Sequence, residues 1–325
     1  MIVSPIAYGN GAYVVHQQLA KHIKNYKVIP YSPKLSLFPF SYYPIGRKES
    51  AKVMHCTPDS AIFHLRRNVP MVVTLHGYAI DKELHPYSSL VQKIHGRTDL
   101  RWLHQLAIKY ADVLTTVSQY TAKLAQQDLN IKKPIKVIYN GVDEQLFFPK
   151  KRSVGKEIKV LFSGNLTRRK GAHLLLPIID RLDKNITIYY TSGLRETSQL
   201  VNHPRLCALG NVPHNKMPEL YRNMDILLFP TVREGHSIAV LEAMASGLPV
   251  VASNVASLPE QITHGQGGFL CKLGDIDAFA TAIQILADSS LLREQWGLFN
   301  RVEVEGKFKL KTMIDNYQML FDKML

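Results

Sequence analysis

The sequence predicts an α/β protein built from two consecutive doubly wound, Rossmann-like units, and three observations carry that expectation. Short runs rich in Val, Ile and Leu, such as MVVTL (71–75) and ILLFP (226–230), alternate with helix-forming segments along the chain, which is the pattern of parallel βαβ units. The alternation breaks at a polar, basic stretch from Asn140 to Lys156, with a turn signal at Asn140-Gly141 and with Pro149 and Gly155, and then restarts. At 325 residues the chain is long enough for two domains, each with its own core.

Taken in order, a short strand is expected at Met1 to Ser4, then the loop PIAYGNGAY and a helix from Val14 to Ile23. Gly9 and Gly11 would let a backbone approach a ligand, although Val14 stands where a dinucleotide fingerprint needs its third glycine. That gap argues against a nicotinamide oxidoreductase. From Tyr31 to Lys52 the prolines rule out a regular helix. Phe38, Phe40, Tyr42 and Tyr43 beside Arg47 and Lys48 fit either an irregular segment packed on the core or a loop seated at a membrane interface.

Strands follow at 52–56, 71–75, 113–117 and 135–139, with helices at 100–110 and 120–127. His76-Gly77 and Ser118 come directly after strands, at the carboxyl edge where such sheets bind ligands. Past the break, strands are expected at 158–163, 186–190, 226–230 and 249–252. Helices are expected at 172–182, 219–222, 237–245 and 276–287. The domains are therefore placed at 1–148 and 149–312, with a final helix at 313–325.

Composition bounds the function. The hydrophobic and charged shares, 46% and 20%, are those of a soluble globular protein. No apolar run approaches the length of a spanning helix, and Met1-Ile2-Val3-Ser4-Pro5 lacks the features of a signal peptide, so a cytoplasmic protein is expected. Cys56, Cys207 and Cys271 lack metal spacing and read as core residues. The formal charge of +14 is uneven: residues 1–150 carry 19 Lys/Arg against 9 Asp/Glu. A basic first half implies an anionic partner, whether nucleic acid, anionic lipid or a phosphate-bearing substrate.

The densest chemistry lies in FPTVREGHSIAVLEAMASGLPVVAS, residues 229–253, where Glu234 precedes a helix and Glu242 sits inside it. The free N–H groups of a helix start favour an anion. Asp275-Ile276-Asp277 follows Gly274 at another helix start and reads as a cap rather than a metal motif.

With these segments laid out, the chain resembles the family 4 glycosyltransferases, retaining nucleotide-sugar enzymes of the GT-B fold. EGHSIAVLEAMASGLPVVAS resembles the family's glutamate-seven-glutamate segment, SGNLTRRKGAHLLL its donor phosphate loop and IYNGVDEQLF its interdomain hinge. The resemblance implies two Rossmann-like domains facing across a cleft, with the C-terminal helix crossing back to the first. It implies Glu242 on the ribose, Glu234 near the transferred sugar, and backbone N–H groups of Gly235, His236 and Ser237 on the sugar or diphosphate. Lys170 would meet the departing pyrophosphate, Gly11 the diphosphate, His76 the sugar side, and Val212 the base. Asn165 stands where the family pattern has an arginine, which leaves two alternatives: Arg168 or Arg169 substitutes from a nearby turn, or donor binding is weak.

The implied activity is transfer of a hexose-type sugar to a glycan, glycolipid or small-molecule acceptor in polysaccharide biosynthesis. No cofactor or metal is expected; a UDP- or GDP-sugar is the co-substrate, and peripheral contact with an anionic membrane face is the further expectation. Two alternatives are a GT-B epimerase and a basic nucleic-acid-binding α/β protein. The first lacks an extra acid/base pair, and the second lacks a recognition motif.

Overall fold

The computed structural model describes residues 1–78, 80–87, 98–150, 157–192 and 202–325. It contains two six-stranded sheets, each wholly parallel where its register is defined. Parts of the segment between His76-Gly77 and the helix expected at 100–110, and of the basic stretch up to Lys156, fall outside the described residues.

The first unit comprises Met1–Asn140 and Lys311–Leu325. Its strands are β1 (Ile2–Ala7), β2 (Tyr26–Tyr31), β3 (Val53–Cys56), β4 (Met71–Leu75), β5 (Val113–Thr116) and β6 (Ile135–Val137), in the spatial order β2-β1-β3-β4-β5-β6. Helices α1 (Gly11–His22), α2 (Asp99–Tyr110) and α3 (Gln119–Leu129) connect them. β1 is longer than expected, running through Pro5 to Ala7. Its register with β3 covers only Ile2 and Val3, so Pro5 sits where no ladder bond to that neighbour is needed.

The second unit is Gly141–Leu310. Its strands are β7 (Ile158–Phe162), β8 (Ile186–Thr191), β9 (Leu206–Gly210), β10 (Ile226–Phe229), β11 (Val250–Ser253) and β12 (Gly268–Cys271), in the order β12-β11-β10-β7-β8-β9. Its helices are α4 (Leu175–Ile179), α5 (Met217–Arg222), α6 (Ile238–Ala245), α7 (Leu258–Gln261), α8 (Ile276–Asp288) and α9 (Ser290–Lys307). The order is that of a dinucleotide-binding sheet, and it reverses between β7 and β10. Ligands bind beyond the strand ends at such a reversal.

The units divide at Asn140/Gly141, before residue 148. The intervening segment belongs to the second unit because Val142 N–H donates to Phe308 O at 2.9 Å and Leu310 N–H to Val142 O at 2.8 Å. Arg301 also donates to the carbonyls of Glu144 and Phe147 at 2.8 and 2.7 Å. Residues from Lys311 onward group with the first unit, carried by α10 (Leu310–Asp322).

Two helices differ from expectation for identifiable reasons. The segment expected as one helix at 172–182 winds as a 3₁₀ turn at each end, with Leu174 N–H donating to Gly171 O and Leu182 N–H to Ile179 O, leaving α4 five residues long. α9 was not expected, because Gly297 and Gly306 weaken its helical signal. Gly297 is retained by close packing: a Cβ there would lie 2.2 Å from Gly247 O. Asp275 caps α8 as expected, accepting from Ala278 N–H at 3.0 Å, and Asp277 pairs with Arg181.

Candidate functional site

The loops after β7 and β10 meet at the sheet reversal of the second unit. The β7 loop turns through Arg168–Lys170 with Thr167 as its cap, Thr167 Oγ1 accepting from Lys170 N–H at 3.3 Å. The Arg169 carbonyl docks this turn on the β10 loop, accepting from Val232 N–H at 2.9 Å. Gly171 makes the approach possible: its φ is +81°, and a Cβ would stand 2.1 Å from Pro230 O. Gly171→Ala should therefore cost more than the ~1–2 kcal/mol of a left-handed alanine alone, read as a fall in the denaturant midpoint. An unchanged midpoint would show that the loops do not need this contact.

The docked turn delivers Lys170. Its Nζ donates to Glu234 Oε1 at 2.6 Å, with side chains only 17% and 12% exposed, and sits 5.3 Å from the Phe229 ring centroid. Thr231 Oγ1 donates to the same carboxylate oxygen at 2.9 Å. An ammonium has three protons and a carboxylate two oxygens, so each partner retains capacity for a further hydrogen bond.

Beyond Glu234 the chain enters α6. Ser257 Oγ donates to Glu234 O at 3.2 Å and fixes the turn. Ser237 is the N-cap of α6, its Oγ accepting from Val240 N–H at 3.4 Å. Gln261 holds Ser237 from both sides: Ser237 N–H donates to Gln261 Oε1 and Gln261 Nε2 donates to Ser237 O, each at 2.9 Å. The Ser237 N–H, expected to meet a ligand, donates to Gln261 in this structure. His236 is buried with its ring 5.3 Å from that of Phe308, and burial brings its pKa down to about 3, so it is neutral. Gly235 is half-buried between the two.

Glu242 lies in α6 and is only 6% exposed. Its Oε1 is 3.3 Å from Nε2 of exposed His214. Tyr221, fully buried on α5, donates to Ala239 O at 3.2 Å and lies at the same distance from Ser163 Oγ. Burial, and then the charge of Glu242, push its phenol well above the usual range. Val212 is half-exposed in the loop that leads from β9 to the His214 turn. Asn165 is half-buried with its carbonyl accepting from Thr167 N–H at 2.8 Å, while the Arg168 and Arg169 side chains are exposed.

The structure thus gathers Lys170, Glu234, Gly235, His236, Ser237 and Glu242 on two adjoining loops and one helix. Sequence reading missed Thr231, Ser257, Gln261, His214 and Tyr221. Among the described residues, no three His, Cys, Asp or Glu gather as a metal site.

Two expected residues lie in the first unit. Gly11 opens α1, exposed, next to the cap Asn10, whose side chain accepts from Tyr13 N–H at 2.8 Å. His76 follows β4 and its Nε2 is 2.8 Å from Nε2 of His16, a partner that the sequence reading did not find. Burial takes the His76 pKa down to about 3 and lowers those of His16 and His55 well below the ordinary 6.5.

These histidines set a pH dependence. Their folded pKa is below the unfolded one, so the unfolded chain binds more protons in the window from 6.5 down toward about 3. Stability is complete above that window and falls as pH drops through it, by at most about 1.4 kcal/mol per histidine per pH unit. Urea midpoints at pH 7.5 and 5 should differ clearly; equal midpoints would mean the histidines are not buried neutral.

A model described as Glycosyltransferase Family 4 matches residues 7–146, and one described as Glycosyl transferases group 1 matches residues 157–289. The N-acetyl-alpha-D-glucosaminyl L-malate synthase of Bacillus anthracis is 24% identical over an alignment of 325 residues, covering 92% of this chain and 82% of its own. Sucrose-phosphate synthase from Thermosynechococcus elongatus superposes with a TM-score of 0.84 at 17% identity, over 99% of this chain and 98% of that one. HepE from Anabaena, solved with UDP-glucose, gives 0.75 at 18% identity over 99% of each chain. At these identities the two solved structures speak for the fold.

Proposed function

Because the chain belongs to the group 1 glycosyltransferases of family 4 and has their GT-B fold, we propose that it moves a hexose-type sugar from a nucleotide diphosphate with retained anomeric configuration. The observation that carries this reading is the convergence, at the sheet reversal of the second unit, of Lys170 and Glu234 beside the start of the helix that buries Glu242.

In this reading Glu242 accepts from the ribose hydroxyls, a task suited to a carboxylate with two oxygens. His214, at its rim, and Val212 lie on the side assigned to the base. Lys170 neutralises the departing diphosphate, whose charge grows in the transition state. Glu234, paired with that lysine, accepts from sugar hydroxyls and stabilises positive charge developing at the anomeric carbon. The amides of Gly235 and His236 meet the sugar or diphosphate, while Ser237 supports them as the cap. Asn165 and Arg169 border the phosphate side. Gly11 and His76 act on the diphosphate and the sugar. The diphosphate leaves from the face that the acceptor attacks, so the configuration is kept.

The chemistry proposed needs no metal, since Lys170 and the helix start supply the positive field. A UDP- or GDP-sugar is the proposed donor and a glycan or lipid-linked precursor the acceptor. Phe38 and Phe40 are 73% and 85% exposed, and Arg47 stacks 3.6 Å from the Tyr43 ring. This aromatic and basic surface supports peripheral contact with an anionic membrane. Among the described residues no helix is long and apolar enough to cross a membrane.

The donor test is a thermal-shift screen against UDP-, GDP- and ADP-sugars, followed by turnover with the stabilising donor. A rise in melting temperature with one nucleotide class and release of that nucleotide diphosphate on adding acceptor is the expected result. No shift with any nucleotide sugar would overturn the reading.

A further inference from the structure

The core of the first unit holds a chain of polar groups that hydrophobic packing does not require. Ser4 Oγ is 2.6 Å from His16 Nδ1, and Tyr26 Oη lies 3.0 Å from that nitrogen and 2.6 Å from His55 Nδ1. His55 Nε2 is 2.7 Å from Thr74 Oγ1, which is 2.5 Å from Thr115 Oγ1. At the other end His16 Nε2 reaches His76 Nε2 at 2.8 Å. The His16 and His55 rings stack at 4.3 Å, and Tyr317 and Phe321 of α10 cover His55 at 5.5 and 5.4 Å. Burying this many polar atoms is costly unless each finds a partner of the right kind, so the protons must be shared out consistently.

Their sharing can be counted, because a network of this kind fixes hydrogens that coordinates do not show. Burial keeps all three imidazoles neutral, each with one N–H and one lone pair. Tyr26 has one proton: given to His16 Nδ1 it leaves His76 protonated at Nδ1, and given to His55 Nδ1, its shorter contact, it leads to the arrangement that follows. His55 Nε2–H then donates to Thr74 Oγ1. With the phenol proton committed, the contact between Tyr26 and His16 needs His16 Nδ1–H as donor, shared with Ser4 Oγ. His16 Nε2 is left with a lone pair, and it accepts from His76 Nε2–H. The Nδ1 of His76 is then a lone pair, and it has no partner among the described residues.

We infer that His16 is a positioning residue that fixes His76 as its Nε2–H tautomer, so that His76 Nδ1 meets a ligand hydroxyl as a hydrogen-bond acceptor. The ligand half of this inference rests on the reading of His76 as a sugar-side residue; the tautomer half does not. A donor sugar offers hydroxyl protons, and an acceptor nitrogen held at a fixed angle selects one of them. His16 itself touches no substrate.

The test has two arms. In the first, ¹⁵N-histidine NMR of the wild-type protein reads the tautomer directly, with His76 assigned by the loss of its signals in His76→Asn. Protonated Nε2 and unprotonated Nδ1 are expected; a His76 protonated at Nδ1 overturns the inference whatever the enzyme's activity. The second arm uses His16→Leu, which removes the acceptor, and His16→Gln, whose amide oxygen can restore it. His16→Leu should lower kcat about three- to tenfold, the value of one hydrogen bond, with affinity for free UDP or GDP unchanged and the His76 spectrum drifting toward a tautomer mixture. His16→Gln should recover both the rate and the Nε2–H spectrum.

Equal loss in both variants, with the His76 spectrum unmoved, would reduce His16 to a packing residue and overturn the inference. If the wild-type tautomer is as expected but His76→Asn leaves turnover untouched, the sugar-side reading of His76 fails and the ligand half falls with it, while the tautomer assignment stands.

Discussion

Lys170→Ala is expected to lower kcat by roughly 10²–10³-fold with a much smaller change in the Kd for the donor. The lysine's ammonium is part-buried, held by Glu234 on one side and backed by the Phe229 ring on the other, so its position is set before a substrate arrives. A preorganised cation aimed at charge that develops on the leaving group stabilises the transition state more than the ground state, and removing one such donor costs about 2.7–4 kcal/mol. The loss should therefore fall on turnover. Glu234 complicates the outcome in a useful way: without Lys170 its half-buried carboxylate keeps the Thr231 hydroxyl as its side-chain partner among the described residues, so thermal stability should fall too. Turnover at the wild-type rate in Lys170→Ala would mean that Arg168 or Arg169 supplies the cation instead.

The second large effect is on binding. Glu242→Ala should weaken binding of the free nucleoside diphosphate by about ten- to a hundredfold, as expected from losing a hydrogen bond to a charged acceptor worth about 1.5–3 kcal/mol. Calorimetry with UDP and GDP measures it without turnover. Glu242 is buried beside the Tyr221 phenol and reaches exposed His214, so the carboxylate is held in one orientation and its loss cannot be made good by solvent. A variant that keeps the shape, Glu242→Gln, should fall between wild type and Ala. Unchanged affinity in both variants would remove Glu242 from the ribose site and move the nucleotide elsewhere.

The parts of this fold legible in the sequence were those with a local signal. MVVTL and ILLFP are continuous apolar runs, and they are fully buried strands in parallel sheets. Ser237 before an Ala-, Leu- and Glu-rich stretch is the cap of α6, and Asp275 is the cap of α8. Lys170 and Glu234 were both readable as candidates, but only folding could show that they pair, since Gly171 and the Arg169 carbonyl bring together loops more than sixty residues apart.

What stayed illegible has partners and no pattern. Gln261 is one polar residue on a four-residue helix, and nothing nearby in the sequence points to Ser237. His16 lies on the apolar face of α1 and His55 within a strand, positions where hydrophobic periodicity predicts aliphatic side chains. Each is satisfied only by a residue distant in sequence, so their meaning appears when the sheet places Tyr26, Thr74 and His76 around them. The break between the units lies at the Asn140-Gly141 turn signal, ahead of the expected 148, and the grouping of residues 311–325 with the first unit has no local pattern of its own and came only from the family resemblance.

The most direct measurement of the central claim is the anomeric configuration of the product formed from an α-configured nucleotide sugar, read from the proton coupling at the new anomeric centre by NMR. An α-linked product and one equivalent of released nucleoside diphosphate are expected. A β-linked product would contradict the roles given to Lys170 and Glu234.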